Sequence, residues 1–382
     1  MTESEPNERT EKAMERILVY GMTDNLGGIE TYIMMLYRRM DKTRMIFDFV
    51  TDFPSMTFAD EVSRAGSRIY YIPAKGKDLK GHLREMNRLL KEHPEYKAVY
   101  FNIVDAGAAV TMSAAWRQKR RVIAHAHNSS SGNQTLQNIC RPLLGVFAGR
   151  WLACSRTAAR FMFGERTAQK AEIIPNLIDA KRFAYDPELR QRTRKELGLQ
   201  DEDFALIHVG RLDWEKNPKE LLEIFRGIRV REPRARLLSI GSGPMEGEVH
   251  QYARQLGIDE SVGFLGRQED IVPYLQAADV FVLPSVYEGF GIVAVEAQAA
   301  GLPCVLSTGV PEDVKVTENV EYLPVQEHER WTEAVLKFRN MPRACTTEQI
   351  ISAGYDISRV PQVIGMLEDF FGIGSEKGQR SS

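Results

Sequence analysis

The chain has 382 residues, of which 43% are hydrophobic and 27% charged, and this length favours two domains over a single core. Its net charge of −2 is unevenly spread: residues 1–183 carry 28 Lys and Arg against 20 Asp and Glu (+8), and the remainder carries 22 against 32 (−10). An acidic second half argues against a nucleic-acid partner, while a basic first half favours an anionic membrane or a phosphate-bearing acceptor, unless the imbalance is only solvated surface charge.

The cysteines and the N-terminal residues indicate the cellular compartment in which the protein is expected. Four cysteines lie far apart, with no Cys-x-x-Cys pair and no histidine at a metal-ligand spacing, so we predict no metal site and a reducing cytoplasm. Residues 1–16 are polar, so we expect no signal peptide. No apolar run approaches the roughly 20 residues that span a bilayer. We expect a cytoplasmic protein, either soluble or peripheral at the inner face of the cell membrane.

The first half alternates short β-rich runs with helical patterns. A strand at residues 16–22 precedes a loop with Gly27 and Gly28, and an amphipathic helix begins at Ile29. Further strands are predicted at residues 45–51, 68–73, 98–104, 121–127, 150–155 and 172–176. This alternation predicts a doubly wound α/β domain with a parallel sheet.

A polar segment at residues 178–203 is the candidate linker, and a second alternating series follows it. Its strands are predicted at residues 204–210, 235–241, 262–266, 279–285 and 303–307. We predict Rossmann-like domains at residues 1–182 and 183–355 that face a cleft. A last helix at residues 356–373 and a disordered tail at 374–382 complete the chain.

Two glutamates flank the start of a predicted helix in the second half. Residues 279–301 indicate a strand, a loop with Glu288, and a helix that carries Glu296 in its second turn and ends at Gly301. The free amides at such a helix start favour a phosphate, and they belong to Gly289, Phe290, Gly291 and Ile292. A carboxylate can accept hydrogen bonds from two adjacent sugar hydroxyls. The arrangement therefore suits a nucleotide sugar.

Cations and glycines follow other predicted strands. Arg211 and Lys216 come after the first strand of the second domain, where ligands gather in open α/β sheets and where both can stabilise a diphosphate, although taken alone such cations are more often solvated. Gly27 and Gly28 permit close approach of a ligand, although a plain turn explains them about as well. The loop has no Gly-x-Gly-x-x-Gly pattern, which weakens a dinucleotide interpretation.

Two histidines end the predicted strand at residues 121–127. His125 and His127 alternate along it and so face the same side. A histidine there could bond a sugar hydroxyl or help neutralise a leaving group, two could bind a metal, and either could be a core residue. The basic residues at 117–121 could touch anionic lipid or an acceptor phosphate, or form a solvated face.

The pattern from Glu288 through Phe290 and Gly291 to Glu296 resembles the signature of family 4 retaining glycosyltransferases of the GT-B fold, which include bacterial capsule and exopolysaccharide enzymes. The resemblance implies two Rossmann-like domains and a C-terminal helix that returns to the first. It implies that Glu288 contacts the transferred sugar and that Glu296 holds the nucleotide ribose. The amides between them, from Gly289 to Val293, would contact sugar and diphosphate.

The same resemblance assigns further residues. It places Arg211 and Lys216 on the diphosphate, and His127, with His125 as second choice, near the transferred sugar. It also places a set of backbone positions around the donor, namely Gly27, Gly28, Gly241, Leu265 and Gly266, with Arg267 as a further candidate for the base. Leu177 departs from the family's Pro-Asn-Gly-x-Asp motif, which puts that local turn in doubt.

The resemblance implies transfer of a hexosyl or N-acetylhexosaminyl group from a nucleotide sugar, expected to be UDP-linked, to a lipid-linked or growing glycan. It implies front-face displacement with retention, and no metal or other cofactor. Two alternatives stay open: a sugar-nucleotide epimerase of the same fold and a non-catalytic sugar-nucleotide-binding protein. The sequence does not specify the sugar, the base, the acceptor, the linkage or the oligomeric state.

Overall fold

The computed structural model describes residues 14–25, 27–130 and 132–373. Its first domain contains a parallel sheet in the order β3-β2-β1-β4-β5-β6-β7. The strands are β1 (Glu15–Tyr20), β2 (Met45–Thr51), β3 (Ile69–Tyr71), β4 (Ala98–Ile103), β5 (Arg121–Ala126), β6 (Arg150–Ala153) and β7 (Glu172–Ile173). The helices are α1 (Gly28–Arg39), α2 (Ala59–Arg64), α3 (Leu79–Glu92), α4 (Ala108–Arg117), α5 (Gln134–Phe147) and α6 (Arg156–Ala168).

Strand β2 shows how the sequence fits this sheet. All seven of its residues are buried, as expected for a strand covered by helices on both faces. Asp48 interrupts its apolar run, and its carboxylate is satisfied by Arg16 at 2.6 Å and by the Tyr96 hydroxyl at 2.6 Å. The one charged residue in β2 is therefore paired in the interior.

The second domain contains another parallel sheet, in the order β10-β9-β8-β11-β12-β13. The strands are β8 (Phe204–Val209), β9 (Ala235–Ile240), β10 (Val262–Gly266), β11 (Val280–Leu283), β12 (Cys304–Ser307) and β13 (Val320–Leu323). The helices around it are α9 (Pro218–Arg231), α10 (Glu246–Gln255), α11 (Val272–Ala277), α12 (Ile292–Ala299), α13 (His328–Lys337) and α14 (Thr347–Ser352). The sequence predicts every one of these strands except the edge strand β13.

The segment predicted as a linker is structured. It contains α7 (Ala180–Phe183) and α8 (Pro187–Glu196), and α8 packs on α11. Arg190 and Arg194 both pair with Asp279, and their guanidinium groups donate to carbonyls at the end of α11. These contacts attach α8 to the second domain.

The chain returns to the first domain at its end. The final helix, α15 (Val360–Phe371), contacts α1, and Val363, Ile364 and Leu367 belong to a buried cluster built mainly from the first domain. The predicted return helix is confirmed. The boundaries at 182 and 355 stay predictions, and the predicted tail at 374–382 lies outside the described residues. Within the described part of the chain, no helix combines the length and apolar character needed to cross a membrane.

The two sheets turn their carboxyl ends toward a common cleft. In each, the strand order reverses between two neighbouring strands, β1 and β4 in the first domain and β8 and β11 in the second. Ligands of doubly wound sheets bind at such reversal points. The loops after these strands therefore position the candidate site.

Candidate active site

Two adjoining cavities occupy the cleft, and they share Gly28, Ile29 and Arg211. One measures about 660 Å³ and the other about 430 Å³. The larger is lined by loops of both domains, including Gly27, Gly241, Gly243, Arg267 and Gln268. The smaller is lined by residues that include His127, Asn128, Asn176, Lys216, Glu288 and 289–293. Most of the predicted site residues thus meet along one continuous cleft.

Lys216 and Glu288 form an ion pair at the floor of the smaller cavity. The ammonium of Lys216 lies 2.5 Å from both carboxylate oxygens of Glu288, and the Ser285 hydroxyl donates to Oε1 at 2.8 Å. Glu288 is buried, so its charge requires these donors. The cation of Lys216 is therefore neutralised by Glu288 in the ligand-free protein.

The loop before α12 presents free backbone donors. Gly291 is the N-cap, in the left-handed region at φ 82°, and it offers no side-chain cap. No described residue accepts a hydrogen bond from the amides of Gly289, Phe290 or Gly291. An uncapped helix start with open amides attracts an anion.

His127 and His125 differ in what they face. His127 lines the smaller cavity, and its Nε2 lies 2.9 Å from Asn102 Oδ1 while its buried Nδ1 has no described partner. His125 lies behind it, with the ring centroids 4.0 Å apart, and its Nδ1 is 2.7 Å from the Tyr100 hydroxyl. Burial lowers the pKa of His127 to about 3, so this imidazole is neutral near pH 7 in the ligand-free protein and can serve hydrogen bonding.

The loops after β8 and β9 contact each other at positions occupied by glycine. A Cβ atom on Gly241 would lie 1.9 Å from the carbonyl oxygen of Gly210, and one on Gly243 would lie 2.4 Å from that of Leu212. This close approach brings the two loops together at the wall of the larger cavity. Arg211 projects from this wall with an exposed side chain, 3.4 Å from Asp213.

The first domain supplies the opposite wall through the loop between β1 and α1. Gly27 is the N-cap of α1 and offers no side-chain cap, and Gly28 and Ile29 line both cavities, so this helix start also faces the cleft. Glu30 accepts hydrogen bonds from the amide and hydroxyl of Thr23 at 3.1 and 2.7 Å, which fixes the loop. Gly27 and Gly28 therefore lie where a ligand can approach the backbone.

The domains also contact each other directly beside Glu288. The Ser129 hydroxyl donates to the carbonyl oxygen of Glu288 at 2.8 Å. A Cβ atom on Gly289 would lie 2.9 Å from the His127 carbonyl oxygen. Gly289 thus allows the loop after β5 to reach the loop after β11.

The comparisons with known proteins agree with this geometry. Residues 26–182 match the family described as Glycosyltransferase Family 4, and residues 190–356 match the one described as Glycosyl transferases group 1. A putative glycosyltransferase of Bacillus subtilis, EpsF, is 31% identical over 368 residues, which span 92% of this chain and 95% of EpsF. The chain belongs to the family 4 glycosyltransferases.

One solved structure and one further relative extend the comparison of this glycosyltransferase. The structure of Anabaena HepE in complex with UDP superposes with a TM-score of 0.78 at 20% identity, covering 93% of this chain and all of HepE, which shows the GT-B fold. The UDP-Gal:alpha-D-GlcNAc-diphosphoundecaprenol alpha-1,3-galactosyltransferase of Escherichia coli is 35% identical over 143 residues, 36% of each chain.

Three of the predicted site residues of the glycosyltransferase are not among the residues that line the two cavities: Leu265, Gly266 and Glu296. Leu265 and Gly266 use their carbonyls internally, toward the Gln268 side chain and the Gly241 amide, and the next two residues face the cavity instead. Glu296 is half-buried on α12, and burial raises its pKa to about 7 against the attraction of Arg182. The roles predicted for these residues stay predictions.

Sequence reasoning missed several residues of the cleft. Asn176 lines the smaller cavity with a buried Oδ1 that has no described partner, and Tyr287 donates to Glu215 at 2.8 Å beside Lys216. Asn128 and Ser129 follow β5, so their place at a strand's carboxyl end was the available signal. No group of three or more His, Cys, Asp and Glu among the described residues is arranged to hold a metal.

Proposed function

We propose that this glycosyltransferase is a retaining enzyme that transfers a hexosyl or N-acetylhexosaminyl group from a UDP-sugar to a lipid-linked or growing glycan in cell-surface polysaccharide synthesis. The observation that carries the proposal is the interdomain cleft, in which two cations and two uncapped helix starts meet around Gly28 and Arg211. This combination suits a diphosphate that carries groups at both ends.

The diphosphate lies between Arg211 and the start of α12 in this proposal. Arg211 has an exposed guanidinium, and Lys216 is already placed 2.5 Å from Glu288. Donor binding gives Lys216 a phosphate partner in addition to Glu288. The open amides after Glu288 add fixed dipoles that stabilise the charge growing on the diphosphate as the sugar leaves.

Retention follows from displacement on one face of the sugar. The bond between the anomeric carbon and the phosphate oxygen breaks, the acceptor hydroxyl oxygen forms its bond on the same face, and its proton passes to the departing phosphate. Glu288 is a hydrogen-bonding group in this scheme, because both its oxygens already accept from Lys216 and one from Ser285. His127 contributes a neutral nitrogen that can bond a sugar hydroxyl.

The donor and acceptor classes draw support from relatives. The Escherichia coli relative is named for UDP-galactose and a diphosphoundecaprenol-linked acceptor, and HepE was solved with UDP. We propose the cytoplasmic face of an anionic membrane as the place of reaction, since the four cysteines are unpaired. We further propose that no metal is needed, because Arg211 and Lys216 supply positive charge beside the open amides.

A donor panel tests the function. The protein is incubated with UDP-, GDP- and ADP-sugars plus membrane lipid extract, with and without a chelator, and lipid-soluble and free sugars are separated. We expect transfer from a UDP-sugar that survives the chelator. Isomerisation of the donor without acceptor would indicate an epimerase, and binding without turnover would indicate a sensor.

The variant Arg211→Ala sharpens this test. We expect kcat to fall by about ten- to a hundredfold with a smaller change in KM, because one charge-assisted contact to the leaving group contributes about 1.5–3 kcal/mol. Arg254→Ala, a change in the last turn of α10, is the matched control. If both variants keep wild-type kinetic constants, the diphosphate assignment is wrong.

A further inference from the structure

We propose that the exposed face of α5, together with the end of α4, docks on an anionic lipid bilayer. The proposal rests on the proposed function, because it identifies the surface that brings the cleft to a lipid-linked acceptor. We call this surface the α5 face. Its apolar members are Trp116, Leu136, Ile139, Leu143 and Val146.

Four apolar side chains form a stripe along α5 that no other described element covers. Leu136, Ile139, Leu143 and Val146 are all exposed, with Ile139 at 65% and Val146 at 59%. At 3.6 residues per turn, the spacing of three, four and three residues places them within an arc of about 80°. The neighbouring arc, with Cys140 and Leu144, is buried in the core. Helix α5 therefore presents one apolar face to the protein core and a second apolar face to solvent.

An aromatic side chain extends the stripe onto α4. Trp116 is 48% exposed, and its ring centroid lies 5.3 Å from that of Phe147 at the end of α5. Tryptophan is enriched where a membrane meets water, because its ring is apolar and its N–H is polar. The far end of the α5 face therefore carries a side chain suited to the interface.

The segment that carries the stripe is basic between Asp105, which lies near Leu136, and Glu165. Residues 106–164 contain no Asp or Glu and eight basic residues, Arg117, Lys119, Arg120, Arg121, Arg141, Arg150, Arg156 and Arg160. Among the described residues, no ion-pair partner is found for Arg117, Lys119 or Arg141. Anionic headgroups attract such a surface. A second copy of the chain would bring like charges together, which disfavours self-association.

The α5 face begins at the rim of the cleft. Asn128 lines the smaller cavity, and α5 starts six residues later at Gln134. Leu136 lies close to the start of α4, since a Cβ atom on Gly107 would be 3.4 Å from Leu136 Cδ2. The exposed Val104, which also lines the smaller cavity, precedes that start by four residues. Docking through this face would hold the acceptor side of the cleft against the headgroups.

Vesicle flotation with the full chain tests the proposal. Vesicles of phosphatidylglycerol and phosphatidylcholine are compared with vesicles of phosphatidylcholine alone. We expect the wild type to float with the anionic vesicles and to be released by high salt. The double variant Ile139→Glu with Val146→Glu should bind them at least tenfold more weakly. Val230→Glu, which adds a charge at a valine 80% exposed on α9, is the matched control and should float like the wild type.

A second double variant tests the same surface with changes that should not affect folding. Arg117→Glu with Lys119→Glu should weaken binding to anionic vesicles and leave the thermal unfolding midpoint unchanged. Wild-type flotation of both double variants would overturn the proposal. So would a wild-type dimer in sedimentation velocity that the Ile139→Glu and Val146→Glu variant abolishes, because the face would then be a self-interface.

Donor binding separates this inference from the proposed function. Calorimetric titration with UDP should give the same Kd for the wild type and both double variants, since the α5 face lies outside the donor site. If the wild type floats but neither binds UDP nor turns over any nucleotide sugar, the proposed function fails while the docking surface stands. If it binds and transfers from UDP-sugar to a detergent-dispersed acceptor but does not float, only the docking inference fails.

Discussion

Lys216 and Glu288 form an ion pair that holds both side chains in place beside the cleft. The two are 72 positions apart, and the sequence predicts both at the same ligand without indicating that they contact each other. The pair lowers the cost of burying a carboxylate beside the cleft. It also holds the ammonium of Lys216 beside the smaller cavity, where we propose that the diphosphate binds.

Removing the cation should therefore cost stability as well as activity. Lys216→Ala leaves the buried Glu288 with Ser285 as its side-chain donor, and we expect the free energy of unfolding to fall by about 1–3 kcal/mol. Lys219→Ala, which breaks the exposed pair with Glu248, is the control and should cost about 0–1 kcal/mol. Urea denaturation measures both. Equal, small losses would show that the Glu288 carboxylate does not depend on Lys216.

The raised pKa of Glu296 makes the free energy of unfolding depend on pH. Burial raises this pKa to about 7, so between about pH 4.5 and 7 the native state holds a proton that the unfolded state has lost. The contribution of Glu296 to stability therefore falls as pH rises through this window. Glu296→Gln should be more stable relative to the wild type at pH 8 than at pH 5, measured by urea denaturation. Glu333→Gln, an exposed change on α13, should show no such difference, and a pH-independent effect of Glu296→Gln would refute the protonated native state.

At the scale of elements, glycine decides how closely loops can approach. Gly241 has a φ of +132°, and a side chain there would meet the Gly210 backbone. The glycine-rich run after β9 is visible in the sequence, and its position near the donor is a prediction from resemblance. The collision with a loop 31 positions earlier depends on the pairing of β8 with β9.

Gly241→Ala should consequently disrupt both loops. We expect a loss of more than about 2 kcal/mol in unfolding free energy, because the backbone conformation and the contact are both unfavourable to a Cβ atom. Gly247→Ala, in α10 with no atom within 4 Å of the new Cβ, should be neutral or stabilising by up to about 1 kcal/mol. Thermal unfolding of the two variants compares them directly. Similar midpoints would mean that the loops can separate at little cost.

Strand prediction succeeds where local pattern dominates. Runs such as residues 45–51 and 204–209 are β-rich, buried and bounded by turns, and the structure places strands there. Strand β13 is missed because four residues at a sheet edge carry too little periodicity. Helix α8 is missed because its polar sequence is held by Asp279 and carbonyls 83 to 89 positions away, which no local pattern shows.

For the candidate site, the sequence predicts which loops form the cleft. It predicts less well which side chains contact each other there. Glu288 lies in a loop and Glu296 in the second turn of α12, as predicted. His127 and not His125 lines the cavity, a choice that strand alternation alone leaves open because both side chains share a face. The contact of Ser129 with Glu288 arises only when two domains meet, so no pattern within either one indicates it.

At the scale of the whole molecule, one of the contacts between the domains depends on the absence of a side chain at Gly289. A Cβ atom on Gly289 would lie 2.9 Å from the His127 carbonyl oxygen and 3.0 Å from Asn128 Oδ1. Closing the cleft to this distance would exclude water from the proposed site of transfer. A small residue there sets how far the two domains can approach.

Gly289→Ala should hold the domains apart. We expect turnover to fall by about ten- to a hundredfold, since a displacement near 1 Å is enough to lose that much, while the thermal unfolding midpoint changes little. Gly365→Ala on α15, where a Cβ atom meets nothing within 4 Å, should keep wild-type turnover. Small-angle scattering should show a larger radius of gyration for Gly289→Ala. Wild-type turnover in that variant would mean that the domains react without this contact.

The two places where the chain crosses between the domains lie side by side. Ile178 and Asp356 form a parallel bridge, in which the Ile178 amide donates to the Tyr355 carbonyl at 2.7 Å and the Ile357 amide donates to the Ile178 carbonyl at 2.9 Å. The joint consists of two adjacent segments at the ends of elements, the kind of position at which domain hinges absorb changes in φ and ψ. It also makes the second domain a continuous insertion in the first. The first domain could accordingly be rebuilt as one polypeptide by a short loop from residue 178 to residue 356, and the insertion could be exchanged at these two adjacent positions for that of another family member.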